Sequence, residues 1–475
     1  MFLYKGHRKR NLEVIEIVNT AVIKKNQEYI IEAIDLTHDG LGVGKIGGFT
    51  VFVKGAIPDE TAKARITKVL KNYSYGRLLE IIKPSIYRIE PVCPVFDKCG
   101  GCQLQHISYE GQLDFKTKIV KDALERIGGF TDVKINEAMG MNMPWNYRNK
   151  AQYPVGMKNG VLSIGFYTER SHEIVNVENC LIQGKENDRI IKIIREFIKN
   201  HNISIYDEAT GEGLIRHIMI RTGFKTGEIM ICVVINGDDM PYIKELAETL
   251  RTKVEGLRSF ILNTNKKKTN VVLGMENKII YGDGFICDHI GKFKFKISPQ
   301  SFFQINPVMT ELLYEKALEY AGLGGGETVI DAYCGIGTIS LFLSQKAKKV
   351  YGIEIVKQAV LDAKENAGLN NVGNVEFLHG ESETVIPKLY EEGIKADVIV
   401  VDPPRKGCDE KLLETIAEMS PERVVYISCN PATLARDLKY LSEWGYEVKE
   451  VQPVDMFPWT VHVETVCLLT RISSM

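Results

Sequence analysis

The stretch Asp331-Ala-Tyr-Cys-Gly335-Ile-Gly337-Thr338 decides the fold of the C-terminal part of this chain. It follows an apolar run that begins at Thr328 and predicts a β-strand, and it precedes a helical pattern that begins at about Thr338. Its two glycines let the backbone pass close to a ligand before the helix begins. Strand, glycine turn and helix in this order indicate a doubly wound parallel sheet, whose ligand site lies beyond the carboxyl ends of its strands.

The same succession of strand, turn and helix continues to the C-terminus. Each predicted strand is a short apolar run, and a helical pattern separates it from the next. We therefore predict an α/β fold with a Rossmann-like sheet for residues 301–475. The predicted strands are Thr328–Tyr333, Lys349–Glu354, Val375–Leu378, Asp397–Val401 and Arg423–Ser428, followed by a last strand over Val461–Leu468.

The ends of these strands carry groups that indicate a nucleoside pocket. Glu354 lies 17 residues beyond Gly337, and its carboxylate is expected to accept hydrogen bonds from two vicinal ribose hydroxyls. NAD and S-adenosylmethionine both fit such a pocket. Asp402-Pro403-Pro404-Arg405 favours S-adenosylmethionine, because an acidic group on a rigid turn would present a pyrimidine or an amino group to a methyl donor. Taken singly, Asp331 could equally cap a helix and Asp402 could lie in an ordinary turn.

A thiol and a carboxylate complete the candidate site. Cys429 follows the fifth strand and precedes a helix that begins at Asn430-Pro431, and a helix N-terminus stabilises a thiolate. Glu464 is the one carboxylate in the predicted last strand, where burial is costly unless the group has a partner or a task. With a methyl donor, the pair fits methylation of uracil at carbon 5. The Cys429 thiolate would add to carbon 6, and Glu464 would then remove the carbon 5 proton. An inert buried thiol is the alternative for Cys429.

Residues 20–84 predict a small β-barrel, because short alternating apolar segments are separated there by glycines. Barrels of this size present one face to single-stranded nucleic acid. The first hundred residues hold 16 Lys or Arg and 11 Asp or Glu, in a chain whose net charge is −1. Cations and aromatics lie side by side in the barrel and suit phosphate contact and base stacking, with a solvated barrel edge as the alternative. They are Lys63, Arg65, Lys68, Lys71, Tyr73, Tyr75 and Arg77.

Residues 85–300 mix strand-like and helical segments and predict an α+β domain. This region contains Cys93, Cys99 and Cys102, with Cys180 after 77 intervening residues. Four thiolates suit zinc or an iron–sulfur cluster, and the spacing does not distinguish them. Pro94 and the Gly100-Gly101 pair supply the turns that ligand loops need, whereas disulfides are disfavoured in a cytoplasmic chain.

Composition excludes several classes of protein. With 475 residues, 44% hydrophobic and 25% charged, the chain is neither collagen-like, coiled-coil nor disordered. No apolar run approaches the ~18 residues of a membrane span, and Met1–Arg10 is followed by no signal-peptide h-region. We expect a cytoplasmic protein, acting as a monomer and without a membrane partner.

Several segments resemble the RNA (uracil-5-)-methyltransferase family over essentially the whole chain. The resemblance implies a class I methyltransferase sheet in which Gln304, Tyr333 and Glu354 hold S-adenosylmethionine and Asp402 faces the reacting centre. Gly335, Gly337 and Thr338 belong to the cofactor loop, where some relatives carry Asn at the position of Thr338. The segments are Asp-Pro-Pro-Arg-Lys-Gly (402–407), Ser-Cys-Asn-Pro-Ala-Thr-Leu-Ala-Arg-Asp (428–437), His-Val-Glu-Thr-Val (462–466) and Ser301-Phe-Phe-Gln304-Ile-Asn306.

The N-terminal segment resembles a TRAM domain, which implies RNA binding. Arg148-Asn149-Lys150 is similar to a family segment that faces RNA, with a solvated strand entry as the equal alternative. Relatives with this cysteine pattern carry a [4Fe-4S] cluster, here implied on Cys93, Cys99, Cys102 and Cys180, in a structural or RNA-positioning role.

The TRAM-like barrel and the cluster together imply 5-methyluridine formation in 23S rRNA. The T-loop uridine of tRNA is the alternative substrate for the same chemistry. Methylation of a base amino group, which needs no thiol, and a non-catalytic RNA-binding protein are the other interpretations.

Overall fold

The computed structural model describes residues 23–472. The predictions made for Met1–Arg10 and for residues 20–22, at the predicted start of the barrel, lie outside the described residues. The chain forms two compact units, one that ends at Arg88 and one that begins at Ile89. Between residues 23 and 472, no helix is both long enough and apolar enough to cross a membrane.

The first unit is a closed five-stranded barrel, with strands in the order β1-β2-β3-β5-β4. Its interior is filled by alternate residues of the strands, such as Val51, Val53 and Ile66. Arg88 reaches the buried carboxylate of Glu60 at 2.6 Å and so ties the exit segment to the barrel. The small barrel predicted from the glycine-punctuated pattern is confirmed. The strands are β1 (Glu28–Leu36), β2 (Leu41–Ile46), β3 (Phe49–Lys54), β4 (Thr61–Val69) and β5 (Tyr73–Lys83).

The second unit opens with a loop that contains three of the cysteines and then helix α1 (Tyr109–Ala123), which the side chain of Ser108 caps. A single π-helical turn, Leu124–Gly128, extends this helix. The short strand β6 (Lys134–Ile135) then pairs in parallel with Tyr446–Val454, more than 300 residues later. This early segment therefore contributes to the sheet of the C-terminal region.

A seven-stranded sheet forms the middle of the chain, in the order β13-β12-β11-β10-β7-β8-β9. Helices α2 and α3 cover one face, where Ile194 and Leu246 are fully buried. On the other face, Met219 and Cys232 join the core of the C-terminal sheet. The predicted α+β character of this region is thus observed. Its elements are β7 (Lys150–Lys158), β8 (Val161–Tyr167), β9 (Ile174–Asn176), α2 (Glu186–Asn200), β10 (Ile215–Thr222), β11 (Ile229–Ile235), α3 (Ile243–Lys253), β12 (Leu257–Thr264) and β13 (Glu276–Gly282).

The C-terminal sheet has eight strands in the order β18-β17-β16-β19-β20-β22-β21-β6, and a separate hairpin, β14–β15, precedes it. Strands β16 to β20 are parallel, as predicted, and β22 runs antiparallel between β20 and β21. The last strand begins at Glu464 and not at Val461 as predicted, because the preceding residues form a loop. The elements are β14 (Ile286–Ile290), β15 (Phe293–Ile297), α4 (Pro307–Ala321), β16 (Thr328–Asp331), α5 (Thr338–Ser344), β17 (Lys349–Glu354), α6 (Lys357–Leu369), β18 (Val375–His379), α7 (Ser382–Glu391), β19 (Val398–Val401), α8 (Glu410–Met419), β20 (Arg423–Ser428), α9 (Pro431–Glu443), β21 (Tyr446–Val454) and β22 (Glu464–Arg471).

Candidate active site

The glycine loop between β16 and α5 has the conformation that a close-lying ligand requires. Gly337 caps α5 with φ of 85°, and a Cβ there would lie 2.7 Å from the ring of Phe377. Gly335 also has a positive φ, 55°, and a Cβ at that position would meet no atom within 4 Å. At position 337, only glycine can adopt this backbone conformation without a side chain that would clash with Phe377.

Two carboxylates flank the loop. Glu354 accepts hydrogen bonds from the backbone N–H of Gly335 at 3.1 Å and of Val356 at 2.7 Å, one on each carboxylate oxygen. Each oxygen has a second lone pair, so both can still accept from hydroxyl groups. Asp331 is fully buried, accepts from the Ser340 hydroxyl at 2.6 Å, and has its pKa raised to about 6, chiefly by burial. Its other oxygen has no hydrogen-bond partner in the described structure.

The buried phenol of Tyr314, on α4, connects several predicted site residues, although the sequence pattern did not single it out. Its hydroxyl bonds to the Thr338 hydroxyl at 2.9 Å. Burial raises the pKa of Tyr314, with hydrogen bonds from Thr338 and Gln304 opposing the shift and the charge of Asp402 adding to it. The Thr338 hydroxyl is therefore held by protein. No sequence signal marks Tyr314, because it lies within an ordinary apolar helical pattern.

Gln304 and Tyr333 each contact residues from other parts of the second unit. The backbone carbonyl of Gln304 accepts from the side-chain amide of Asn149 at 2.8 Å, which joins the middle region to the segment that precedes α4. Asn149 is buried, so it supports Gln304 and does not face solvent. The ring of Tyr333 packs against a cluster of buried apolar residues that includes Ile330 and Leu412. Burial and the nearby Cys408 raise the pKa of Tyr333.

Cys429 lies directly after β20, partly exposed at the carboxyl edge of the sheet. Its pKa is raised to about 11 by burial, then by the charges of Glu464 and Asp402. Burial and the neighbouring carboxylates therefore outweigh the stabilisation that a helix N-terminus gives to a thiolate at Cys429. The side chain of Asn430 already accepts the Ala432 N–H at that terminus, and the neighbouring carboxylates oppose a second negative charge.

Glu464 and Asp402 belong to the same electrostatic cluster as this thiol. Glu464 is buried at the start of β22, and burial followed by the charge of Asp402 raises its pKa well above the usual value. Burial and Asp331 raise the pKa of Asp402 to about 7. Arg405 opposes the shifts of both Cys429 and Glu464. The structure thus gathers one thiol, two proton-accepting carboxylates and one cation at one edge of the sheet.

The loop before Glu464 is held by a buried ion pair that was not predicted from the sequence. Lys116 on α1 donates to Asp455 at 2.5 Å and to the Phe457 carbonyl at 3.1 Å, and both side chains of the pair are fully buried. His462 lies further along the same loop, and burial, with Arg405 and Lys116, lowers its pKa to about 4. A lysine on the apolar face of α1 is the only sequence signal for this pair.

All four predicted ligand cysteines line one cavity of about 70 Å³. Burial raises the pKa of Cys102 to about 12 and of Cys180 to about 11, with further contributions from the other thiols. About 10–15 Å³ suffices for one water, so the cavity has room for a larger group. Within residues 23–472, however, no three His, Cys, Asp or Glu side chains stand ready to hold a single metal ion.

The cysteine cavity is joined to the loop before Glu464. The backbone N–H groups of Gln103 and Leu104 both donate to the Trp459 carbonyl at 3.0 Å. Trp459 stacks on Trp145 with ring centroids 4.1 Å apart, in a cluster that also includes Cys102 and Cys180. Arg148 lines the same cavity and lies 5.9 Å from the ring of Phe457.

In the first unit, the predicted cations and aromatics divide into three groups, and Phe52, which was not predicted, belongs to the aromatic one. Phe52, Tyr73 and Tyr75 form one aromatic cluster, with ring centroids 5.4 to 5.8 Å apart. Lys63 and Arg65 are ion-paired with Glu28 at 2.8 and 2.6 Å. Lys68, Lys71 and Arg77 are exposed.

The chain is similar to known proteins over most of its length. The family model described as tRNA (uracil-5-)-methyltransferase matches residues 109–472, and the TRAM domain model matches residues 24–79. An uncharacterized RNA methyltransferase of Clostridium tetani is 56% identical over 94% of this chain and 97% of its own length, and one of Bacillus cereus is 54% identical over 95% and 98%. The crystal structure of Pyrococcus abyssi tRNA (uracil-54, C5)-methyltransferase with S-adenosyl-L-homocysteine is 28% identical, covering 94% of this chain and 100% of that one with a TM-score of 0.75.

Proposed function

The chain belongs to the tRNA (uracil-5-)-methyltransferase family, and from that premise we propose that it methylates carbon 5 of a uridine in 23S rRNA with S-adenosylmethionine. The observation that carries the chemistry is the electrostatic coupling of Cys429, Glu464 and Asp402 beyond the glycine loop. A methyltransferase acting on an amino group needs no thiol, and a non-catalytic RNA-binding protein needs neither thiol nor base.

In the proposed mechanism, Cys429 loses its proton and forms a bond from Sγ to carbon 6 of uracil. The electron pair of the 5,6 double bond moves to form an enolate, which makes carbon 5 nucleophilic. Because burial raises the pKa of Cys429 to about 11, the thiol needs a nearby group to accept its proton, and we assign this role to the Asp402 carboxylate.

When bound, S-adenosylmethionine would supply the methyl group for carbon 5 and would leave as the thioether S-adenosylhomocysteine. Glu464 then removes the proton from carbon 5, the 5,6 double bond reforms, and Sγ of Cys429 leaves. Glu464 accepts this proton in its ionised form, and because its pKa is raised, the buried carboxylate then holds the proton more strongly than an exposed one.

The residues of the glycine loop fit the cofactor. Both oxygens of Glu354 keep a lone pair for ribose hydroxyls. Gly335 leaves room for the nucleoside beside the loop, and Gly337 gives the loop the backbone conformation in which α5 begins. Gln304, Tyr333, Thr338 and Asp402 complete the proposed binding set, with Thr338 acting through its bond to Tyr314.

We also propose a [4Fe-4S] cluster on Cys93, Cys99, Cys102 and Cys180. The shared cavity supports it, since a group with four thiolate ligands needs space between the thiols that a single metal ion does not. The cluster would have a structural role, because the loop that contains Cys102 donates two backbone hydrogen bonds to Trp459, on the segment that precedes Glu464. Iron and sulfide analysis of anaerobically purified protein tests this. Four irons and four sulfides per chain are expected, whereas zinc or no metal would refute the assignment.

In the barrel, the cluster of Phe52, Tyr73 and Tyr75 suits base stacking, and the exposed Lys68 and Lys71 suit phosphate contact. We propose that this surface binds the RNA substrate.

The deciding experiment is transfer of labelled methyl from S-adenosylmethionine to unmodified 23S rRNA and, separately, to unmodified tRNA, followed by nucleoside analysis. Label as 5-methyluridine in 23S rRNA alone supports the proposal. Label in tRNA alone refutes the rRNA substrate and favours the second candidate, since the solved Pyrococcus relative is a tRNA (uracil-54, C5)-methyltransferase. Label on a base nitrogen refutes the roles of Cys429 and Glu464.

A further inference from the structure

A second cavity, of about 460 Å³, lies on the seven-stranded sheet and contains none of the residues assigned above. Its floor is formed by Gly156 on β7 and by Ser163 and Tyr167 on β8. These positions alternate with Ile164 and Phe166, which pack in the core beneath α2 and α3, and with Val155, which belongs to that core and also lines the cavity. The cavity is therefore on the sheet face opposite the helices, and its volume is within the range of small-ligand sites.

A β-bulge directs two polar side chains into this cavity. The pairing of β10 with β11 passes from Ile215↔Ile235 to His217↔Val234, which leaves Arg216 as an extra residue. A bulge re-aims side chains that regular alternation would place on opposite faces. As a result, the consecutive residues Arg216 and His217 both line the cavity.

Both side chains are buried, and each has a nitrogen atom whose hydrogen-bonding capacity is unused within the described structure. Arg216 is 4% exposed and His217 is 9% exposed. Arg216 donates through Nη1 to the carbonyls of Asn265 and Lys267 at 2.5 and 2.9 Å, while its Nε and the Nδ1 of His217 have no partner among the described residues. No carboxylate within residues 23–472 forms a salt bridge with Arg216. A buried cation with a spare donor is costly unless an acceptor comes to it.

The other side of the cavity offers acceptors and aromatic surfaces. The Glu208 carboxylate accepts from the Tyr167 hydroxyl at 3.4 Å and contacts His172 Nδ1 at 2.7 Å, which leaves lone pairs free. The guanidinium of Arg216 lies 4.4 Å from the ring centroid of Tyr206. The cavity thus combines donors on its buried side, a carboxylate at its rim and flat surfaces.

Among the nucleobases, guanine matches this combination. Its O6 and N7 accept from a guanidinium, and its N1–H and N2–H₂ groups donate to a carboxylate. Adenine would turn its N6 donor towards Arg216, and the pyrimidines do not present both edges. Tyrosine and histidine rings add stacking surface for a base.

We propose that this cavity binds one unpaired guanine nucleotide of the RNA substrate. The assignment of this nucleotide to an RNA substrate rests on the proposed function. Strand β10 connects the cavity to Arg221, whose guanidinium donates to the Ser301 carbonyl at the start of the cofactor-binding segment. Five residues of strand separate Arg216 from Arg221, about 17 Å, a distance that a few nucleotides of single strand can span.

The test begins with calorimetric titration of the four nucleoside monophosphates into the full-length protein. We expect GMP to bind with a Kd below about 1 mM and at least about tenfold more tightly than AMP, CMP or UMP. Arg216→Met and Glu208→Gln should each weaken GMP binding at least about tenfold. The matched control is Arg189→Met, which removes an exposed arginine from α2, and it should change nothing. Equal binding of all four nucleotides, or none, overturns the proposal.

Methylation kinetics identify the source of the nucleotide. Glu208→Gln, at the exposed rim, should raise the KM for RNA while kcat and the affinity for S-adenosylmethionine stay unchanged, and GMP should compete with RNA. GMP binding without competition would overturn the assignment to RNA and indicate a free nucleotide. Because the titrations need no methyl transfer, their failure is distinguishable from failure of the proposed function, in which no RNA would be methylated.

Discussion

Replacing Lys116 with methionine tests whether the buried pair with Asp455 holds the loop before Glu464. Both side chains are fully buried, and Lys116 also donates to the Phe457 carbonyl. Methionine fills a similar volume but leaves the Asp455 carboxylate with the Phe457 N–H, at 3.2 Å, as its remaining donor. Removing one partner of a buried ion pair costs about 3–5 kcal/mol.

The effect should appear as local opening of residues 455–463, measured by hydrogen exchange. At about 1.4 kcal/mol per factor of ten, the cost corresponds to exchange that is roughly a hundredfold to several thousandfold faster in this segment. The amide of Trp459 is an informative probe, because it donates to the buried Gln112 side chain on α1 at 2.9 Å. Since the loop leads directly into β22, kcat should fall as well.

Two further variants make the measurement decisive. The double variant Lys116→Met/Asp455→Asn removes the unpaired charge and should restore most of the protection, since the asparagine oxygen still accepts the Phe457 N–H. Lys121→Met removes an exposed lysine of the same helix and should cost at most about 1 kcal/mol. Unchanged exchange in Lys116→Met, or no recovery in the double variant, would refute the reasoning.

Three other predictions concern the site itself. Cys429→Ala should reduce methyl transfer at least about a thousandfold while calorimetry finds S-adenosylmethionine binding unchanged; substantial remaining activity would exclude the covalent mechanism. Gly337→Ala should weaken S-adenosylmethionine binding at least about tenfold, because φ at position 337 is 85° and the new Cβ would lie 2.7 Å from the ring of Phe377. Gly393→Ala, where φ is 86° and no atom lies within 4 Å, should leave binding unchanged, and equal losses in the two variants would disprove the steric argument. Arg405→Gln should slow alkylation of Cys429 by iodoacetamide at about pH 8.5, because removing a cation raises the pKa of the thiol further and leaves less thiolate. The neighbouring Lys406→Gln should not slow it, and an equal effect of the two variants would show that Arg405 has no specific role.

Local sequence was sufficient to predict much of the fold. The five barrel strands and the five parallel strands of the C-terminal sheet follow from apolar alternation and from glycine and proline breaks, which act over a few residues. The order of strand ends also predicted that Glu354, Asp402 and Cys429 would share one edge of a sheet, because parallel strands bring their carboxyl ends together. Local patterns could not predict that β6 joins this sheet by pairing with a strand more than 300 residues away.

The electrostatic state of the site depends on neighbours that are distant in sequence. Because Cys429 directly precedes a helix, the sequence predicted a stabilised thiolate there. In the folded chain, burial and the carboxylates of Glu464 and Asp402 raise the pKa of Cys429 to about 11. Likewise, the bond between the Thr338 and Tyr314 hydroxyls joins two helices, and no local pattern predicted it.

The sequence by itself therefore determined the elements, their order and the residue types at the strand ends, because these depend on periodicity and turn chemistry within short segments. Only the tertiary structure decided that Lys116 pairs with Asp455 and that four cysteines surround one cavity. It also decided that a β-bulge directs the side chains of Arg216 and His217 into a second cavity. The physical reason is that desolvation and charge interactions depend on distances across the packed interior, and many different packings are compatible with the same local pattern.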